Sequence, residues 1–193
     1  TNSTPFKGFW GGSKTQALYT AAELTTLGLT SGQSISTIGY VAIAGTPLVL
    51  NNFSINAGFV SASTLGTTFS AGATTVVLAS TAYTPTTGIG NLDFPLSIPL
   101  VWDGVSSLLL ETCFNNNNGG GSSSNSISVQ SSAVAAGLNI LFTADNNATV
   151  CSSATTTSST SRPKLRIIAQ QTTAITWSPV TNLFTDAAAT VAY

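Results

Sequence analysis

Along this chain the hydrophobic positions repeat mainly every second residue, the spacing of strands whose side chains point alternately to two faces. Phe53, Ile55, Ala57 and Phe59 alternate with Ser54, Asn56 and Gly58. Ile35, Ile38, Tyr40 and Ala42 mark an earlier strand that starts near Gln33 and ends near Gly45. Thr67–Ser70 and Thr74–Ala79 are candidate strands around an Ala71-Gly72 turn, and further strands are expected at Ile127–Gln130, Gly137–Thr143 and Pro163–Ala169. The stretch 92–115 reads as a hairpin of strand, tight turn and strand, because Asp103 bonds its own backbone and Gly104 accepts positive φ. In its second half Leu108, Leu110, Thr112 and Phe114 share one face, and Leu109, Glu111 and Cys113 the other. Both faces are largely apolar, so this strand is expected at the centre of a sheet covered on both sides.

One segment departs from the period of two. In Leu18–Gly28, Thr20 and Glu23 have capping-box spacing, Leu24 and Leu27 share a face, and Gly28 ends the turn. A short helix near residues 20–27 follows. Eight or nine short strands, polar turns and one helix predict an all-β fold, an antiparallel, jelly-roll-like sandwich over residues 1–169. Residues 1–16, rich in Gly and aromatics, read as an opening strand or loop over the core. Gln170–Thr173 reads as a linker. The remaining residues to 193 are too few to bury a core of their own. That tail is expected to pack on the main domain, open a next module, or add a strand to another copy.

Composition narrows the classes. Charged residues are 6% of the chain, against roughly 25% in an average domain. Ser, Thr, Asn and Gln must therefore carry solubility, which suits an extracellular, cell-surface setting. The net charge is −1 and no basic footprint exists, so nucleic acid is not an expected partner. No apolar run is long enough for a membrane helix, and no membrane insertion is expected. The first residues lack a charged and apolar leader, so a signal peptide is expected to have been removed or to lie upstream. Two cysteines in a Ser/Thr-rich chain favour a Cys113–Cys151 disulfide in an oxidising compartment over two free thiols. Such a bridge is worth about 3–4 kcal/mol on the chain-entropy estimate.

Chemistry is constrained by the absence of histidine, which excludes Ser-His-acid triads and histidine metal sites. Among the acids, Glu111 is expected in an ion pair with Arg166 or Lys164 on a neighbouring strand rather than as a catalytic group. No cofactor is expected. Calcium would need oxygens from Asp145, Asn146 and Asn147, or from Asp93 with Asp103, but no Asp-x-Asp-x-Asp loop is present. Candidate glycan contacts are Trp10, Trp102 and Trp177, with Asn116 in the Asn115–Asn118 run; single Trp residues in sandwiches also serve as core.

The ordered motifs Leu18-Tyr-Thr-Ala-Ala-Glu-Leu, Asn52-Phe-Ser-Ile, Tyr83-Thr-Pro, Val101-Trp-Asp-Gly, Glu111-Thr-Cys-Phe-Asn-Asn and Arg162-Pro-Lys-Leu-Arg carry a resemblance. The chain resembles a β-sandwich module of large Bacteroidota surface proteins, adhesins of the gliding-motility type exported by type IX secretion. Its tail, from Ile175-Thr-Trp-Ser-Pro, is similar to the start of the immunoglobulin-like repeats that follow such modules. The resemblance implies a non-enzymatic structural or adhesive role, with neighbouring modules, copies of itself or surface glycans as partners. It implies no particular ligand. The rival readings are a lectin-like glycan-binding module and a filament subunit assembled by strand addition through 172–193.

Overall fold

The computed structural model describes residues 4–46, 48–85, 89–121 and 126–171. The expectations placed on 172–193, including Trp177 and strand addition, lie outside them. In chain order the elements are β1 (Gly12–Tyr19), α1 (Ala21–Thr26), β2 (Gln33–Gly45), β3 (Leu50–Val60) and β4 (Thr75–Tyr83). Next come β5 (Gly90–Val101), β6 (Ser107–Asn115), β7 (Ile127–Val129), β8 (Ser131–Ala133) and β9 (Asn139–Ala144). A 3-10 turn (Val150–Ser152) precedes β10 (Thr157–Ser158), β11 (Ser161–Pro163) and β12 (Arg166–Gln171).

These strands form an all-β, antiparallel sandwich. One sheet has the order β10-β9-β1-β6-β3-β4, and the other is built on β12-β2-β5, with β7 also pairing β2. β6 is central, paired to β1 on one side and β3 on the other. Its two apolar faces have separate destinations. Leu108, Leu110 and Phe114 enter the core between the sheets, while Leu109 joins Leu18, Leu65 and Ile140 on the far face. Residues 61–73 close that far face. Gln16, fully buried on β1, donates from Nε2 to the Ser70 carbonyl at 2.6 Å and accepts from Ser70 N–H at 2.8 Å. Its amide thereby acts as a strand edge for the covering loop.

The main core gathers Ile35, Ile38 and Tyr40 of β2, Leu92 and Phe94 of β5, and Phe53 and Ile55 of β3 around Phe6. The Phe6 ring lies 5.9 Å from Tyr40, 5.7 Å from Phe53 and 6.4 Å from Phe94, in the range of favourable aromatic pairs. The step from Ile35 to Ile38, which breaks the period of two, is explained by a bulge. Ile168 pairs with Thr37 and Ala169 with Ile35, leaving Ser36 as the extra residue that returns Ile38 to the core face.

Several expectations are corrected here. The stretch 92–115 is not a hairpin: β5 pairs with β2 and β6 with β1 and β3, so its turn carries the chain from one sheet to the other. Two buried faces, one per sheet, need such a crossing. The opening segment becomes β1, an interior strand of the larger sheet. Its polar Ser13, Thr15 and Gln16 conceal it from an alternation test although all three are buried. Gln170 and Gln171 extend β12 rather than forming a linker, so a boundary after residue 169 would cut a strand.

The Glu111–Arg166 ion pair does not form. Glu111 faces away from the core on one sheet, and its oxygen lies 3.4 Å from Lys14 Nζ and accepts from Gln16 at 2.7 Å. Arg166 belongs to the other sheet and donates to Asp93 at 2.8 Å. That bond runs across Gly39, which lies between them in register; a Cβ there would stand 2.6 Å from Asp93 Oδ1.

A candidate binding surface at the disulfide-tethered end

At the Gly12 end of β1, three loops converge. Gly11 N–H donates to Asp145 Oδ1 at 2.8 Å, and the Gly11 carbonyl accepts from Asn116 N–H at 2.8 Å and Asn117 N–H at 3.1 Å. Asn146 N–H reaches the Asn118 carbonyl at 2.7 Å, and Asn115 Nδ2 donates to the Asn147 carbonyl at 3.0 Å. The loops thus brace one another through short polar side chains and backbone. Gly11 is required by contact, since a Cβ would collide with the backbone carbonyl of Asn118. Asn117 and Asn146 both have φ of 48°, a region that asparagine tolerates better than most residues. The asparagine run therefore has a conformational reason before any recognition role.

The Cys113–Cys151 disulfide lies beside these loops. Cys113 is on β6 opposite Lys14 of β1, and Cys151 is in the 3-10 turn, with Cα atoms 5.7 Å apart. Val150 of that turn is fully buried. The bridge ties the loop carrying Asp145–Asn147 to the central strand of the sheet.

The candidate glycan contacts separate into two places. Trp10 is half-buried and packs edge-on against Phe9, with centroids 5.2 Å apart and planes at 86°. Phe9 is 40% exposed and was not singled out individually from the sequence, although its position beside Trp10 was visible. Asn116 lies at this same end, but its side chain is engaged: Oδ1 accepts from Asn51 N–H at 2.8 Å and Nδ2 donates to the Val49 carbonyl at 2.9 Å. Trp102 is removed from the surface, at 1% exposure. Its ring fills the core under the crossing between sheets, and its Nε1 donates to the Ser106 carbonyl at 2.8 Å. A ring so covered cannot stack on a sugar.

Several of the oxygens considered for calcium have hydrogen-bond partners within the fold. Asp145 holds Gly11, Asn147 Oδ1 accepts from Thr149 N–H at 2.8 Å, and Asp93 holds Arg166. Asp103 Oδ1 accepts from Val105 and Ser106 N–H at 2.9 and 2.8 Å. Hydrogen bonds from Ser106, first from its side chain, hold the Asp103 carboxyl below its ordinary range. Asp93 and Asp103 do not meet. Among the described residues no three His, Cys, Asp or Glu side chains form a metal-holding group.

At the opposite end of β1 stands a polar centre that sequence reading did not assemble. Arg162 of β11, with a side chain only 6% exposed, forks onto Glu23 of α1: Nη2 lies 2.5 Å from Oε1 and Nη1 3.1 Å from Oε2. Nη1 also donates to the Leu18 carbonyl, and the guanidinium lies 4.2 Å from the Tyr19 ring centroid. Partial burial pushes the Glu23 carboxyl up, but the bonds from Arg162 and from the Thr20 backbone outweigh it and hold the carboxyl below its usual range. The capping-box half of this centre was legible in Thr20 and Glu23. Arg162 was not, because its partner lies far off in sequence.

Among the described residues the loop end brings an aromatic pair, Phe9 and Trp10, beside asparagine amides and the Asp145 carboxylate. No protein family matches the chain, and neither a curated protein nor a solved structure is similar to it.

Proposed function

We propose that the chain is a non-enzymatic structural and adhesive module of a large extracellular surface protein. The observation that carries this reading is the Cys113–Cys151 bridge, which fastens an otherwise irregular loop cluster to the central strand. Such a bond persists in oxidising surroundings and serves a domain that must stay folded outside a cell. The scarcity of charge supports it, since like modules can pack closely with little mutual repulsion. The motif resemblance to gliding-type adhesin modules points the same way. Neighbouring modules or copies of the chain are the partners this reading implies.

A second reading, glycan binding, is favoured by Phe9 and Trp10 lying beside the amide-rich loops. One experiment separates the two. Beads coated with the full chain are held under flow over bare, protein-coated and glycan-coated surfaces. Retention irrespective of glycan, and loss of it in Cys113→Ser/Cys151→Ser, is the expected result. Retention on glycan alone that Trp10→Ala abolishes would transfer the assignment to the second reading. Beads that wash off every surface would overturn the adhesive function.

A further inference from the structure

Beside the Arg162–Glu23 centre is a cavity of about 380 Å3, at the small end of the roughly 300–1,000 Å3 typical of ligand sites. It lies between α1 and the chain from Arg162 to Leu165, with Ala22, Leu27 and Leu165 supplying its apolar lining. Leu27 is 56% exposed, a large apolar side chain left open at the end of the helix.

We propose that this cavity binds a small amphiphile with one anionic end and an apolar body, a medium-chain carboxylate. Charge on the lining is the first argument. Of the chain's five basic residues, Arg162 and Lys164 both line the cavity, against one carboxylate, Glu23. Glu23 is saturated: Oε1 takes Arg162 Nη2, and Oε2 takes Arg162 Nη1, Thr20 N–H at 2.8 Å and the Thr20 hydroxyl at 3.0 Å. Lys164 is exposed and has no carboxylate partner among the described residues. The lining therefore keeps one uncancelled positive charge at its rim. The second argument is preorganisation. The capping box fixes one wall and the Arg162 fork joins it to the other, so binding orders little new structure. An apolar body would cover Leu27, Ala22 and Leu165 while the carboxylate meets Lys164. This site is at the far end of β1 from the aromatic pair and is independent of the adhesive reading.

The test adds octanoate, octanol or acetate to the full chain, with affinity read by equilibrium dialysis and location by amide chemical shifts. Octanoate is expected to bind saturably, with shifts centred on residues 22–27 and 162–165. Octanol should bind roughly tenfold more weakly, as loss of a charge-assisted contact implies, and acetate not at all. Lys164→Gln should reduce octanoate to the affinity of octanol, and Leu27→Asp should weaken both. Both positions are exposed, so the fold is expected to survive either change. Unsaturable binding, shifts scattered over the molecule, octanol binding equal to octanoate, or Lys164→Gln indistinguishable from the parent chain would each overturn the proposal.

Discussion

At the Gly12 end of β1 the fold is fastened by a disulfide, asparagine amides and one aspartate that accepts from backbone. At the Tyr19 end it is fastened by a guanidinium that joins α1, β1 and β11. The two ends serve the same strand and solve the same problem, that of anchoring irregular chain to a regular sheet. Their physics differs. Neutral amides and a covalent bond are indifferent to salt and to moderate pH, and removing one amide leaves little uncompensated. A buried cation must be matched by its partner and by the carbonyl it caps, and removing either member exposes the cost of the other. A chain with so few charges has placed one where it is least replaceable.

The largest effect is expected at the covalent end. Cys113→Ser/Cys151→Ser should cost about 4 kcal/mol by the loop-entropy relation for a 38-residue separation. Urea denaturation would read this as a lower midpoint. Hydrogen exchange would sharpen the comparison: amides of residues 115–121 and 144–152 should exchange faster, while those of α1 hold their protection. Equal loosening at both ends would show that the two anchors act as one unit, and the contrast drawn above would fail.

The disulfide end was also the more legible of the two in sequence. Two cysteines allow only one pairing, and the strand bearing Cys113 announces itself by apolar residues on both faces. The bulge at Ser36 and the crossing between sheets at Trp102 were not readable in the same way. Alternation fixes which face a residue occupies, not which sheet its strand joins, so 92–115 looked like a hairpin. β1 was read only as an opening strand or loop for another reason: buried Gln16 satisfies its amide within the fold, which no local pattern reveals. The same limit applied to Glu111 and Arg166. They were expected to pair with each other, but the partners found, Lys14 and Asp93, depend on sheet membership.

At the ionic end, Arg162→Ala is expected to cost about 3 kcal/mol, the lower part of the range for a broken buried pair, because Glu23 is partly exposed and solvent screens what is left. The substitution also strands the Leu18 carbonyl and uncovers one face of Tyr19. The double variant Arg162→Met/Glu23→Gln should cost less than Arg162→Ala alone, since no unmatched charge remains. Thermal melts of the variants provide the check. A double variant as damaged as the single one would mean that the guanidinium acts through the Leu18 carbonyl and Tyr19 contacts, and that charge matching contributes little.

The smallest effect, and the one that most cleanly distinguishes the ends, is a dependence on pH. Because the folded Glu23 carboxyl is held below its ordinary value, its contribution is fully present above the unfolded carboxylate pKa, about 4.3, and is lost as pH falls through the folded value. Asp103, lowered by its Ser106 bonds, titrates in the same direction and adds to the acid limb. Burial raises the Tyr19 and Tyr40 hydroxyls, so the opposite sign holds for them: their contribution is complete below about pH 10 and lost as pH rises toward the folded values. Glu23→Gln should flatten part of the acid limb, by on the order of 1 kcal/mol or less given the screening of a half-exposed group, and leave the alkaline limb unchanged. Tyr40→Phe should do the reverse. Removing the disulfide should lower the whole profile without altering its shape, because Glu23, which shapes the acid limb, stands at the opposite end of β1 from the bridge. An acid limb that steepens or vanishes in the disulfide variant would place the pH-sensitive anchor at the wrong end of β1.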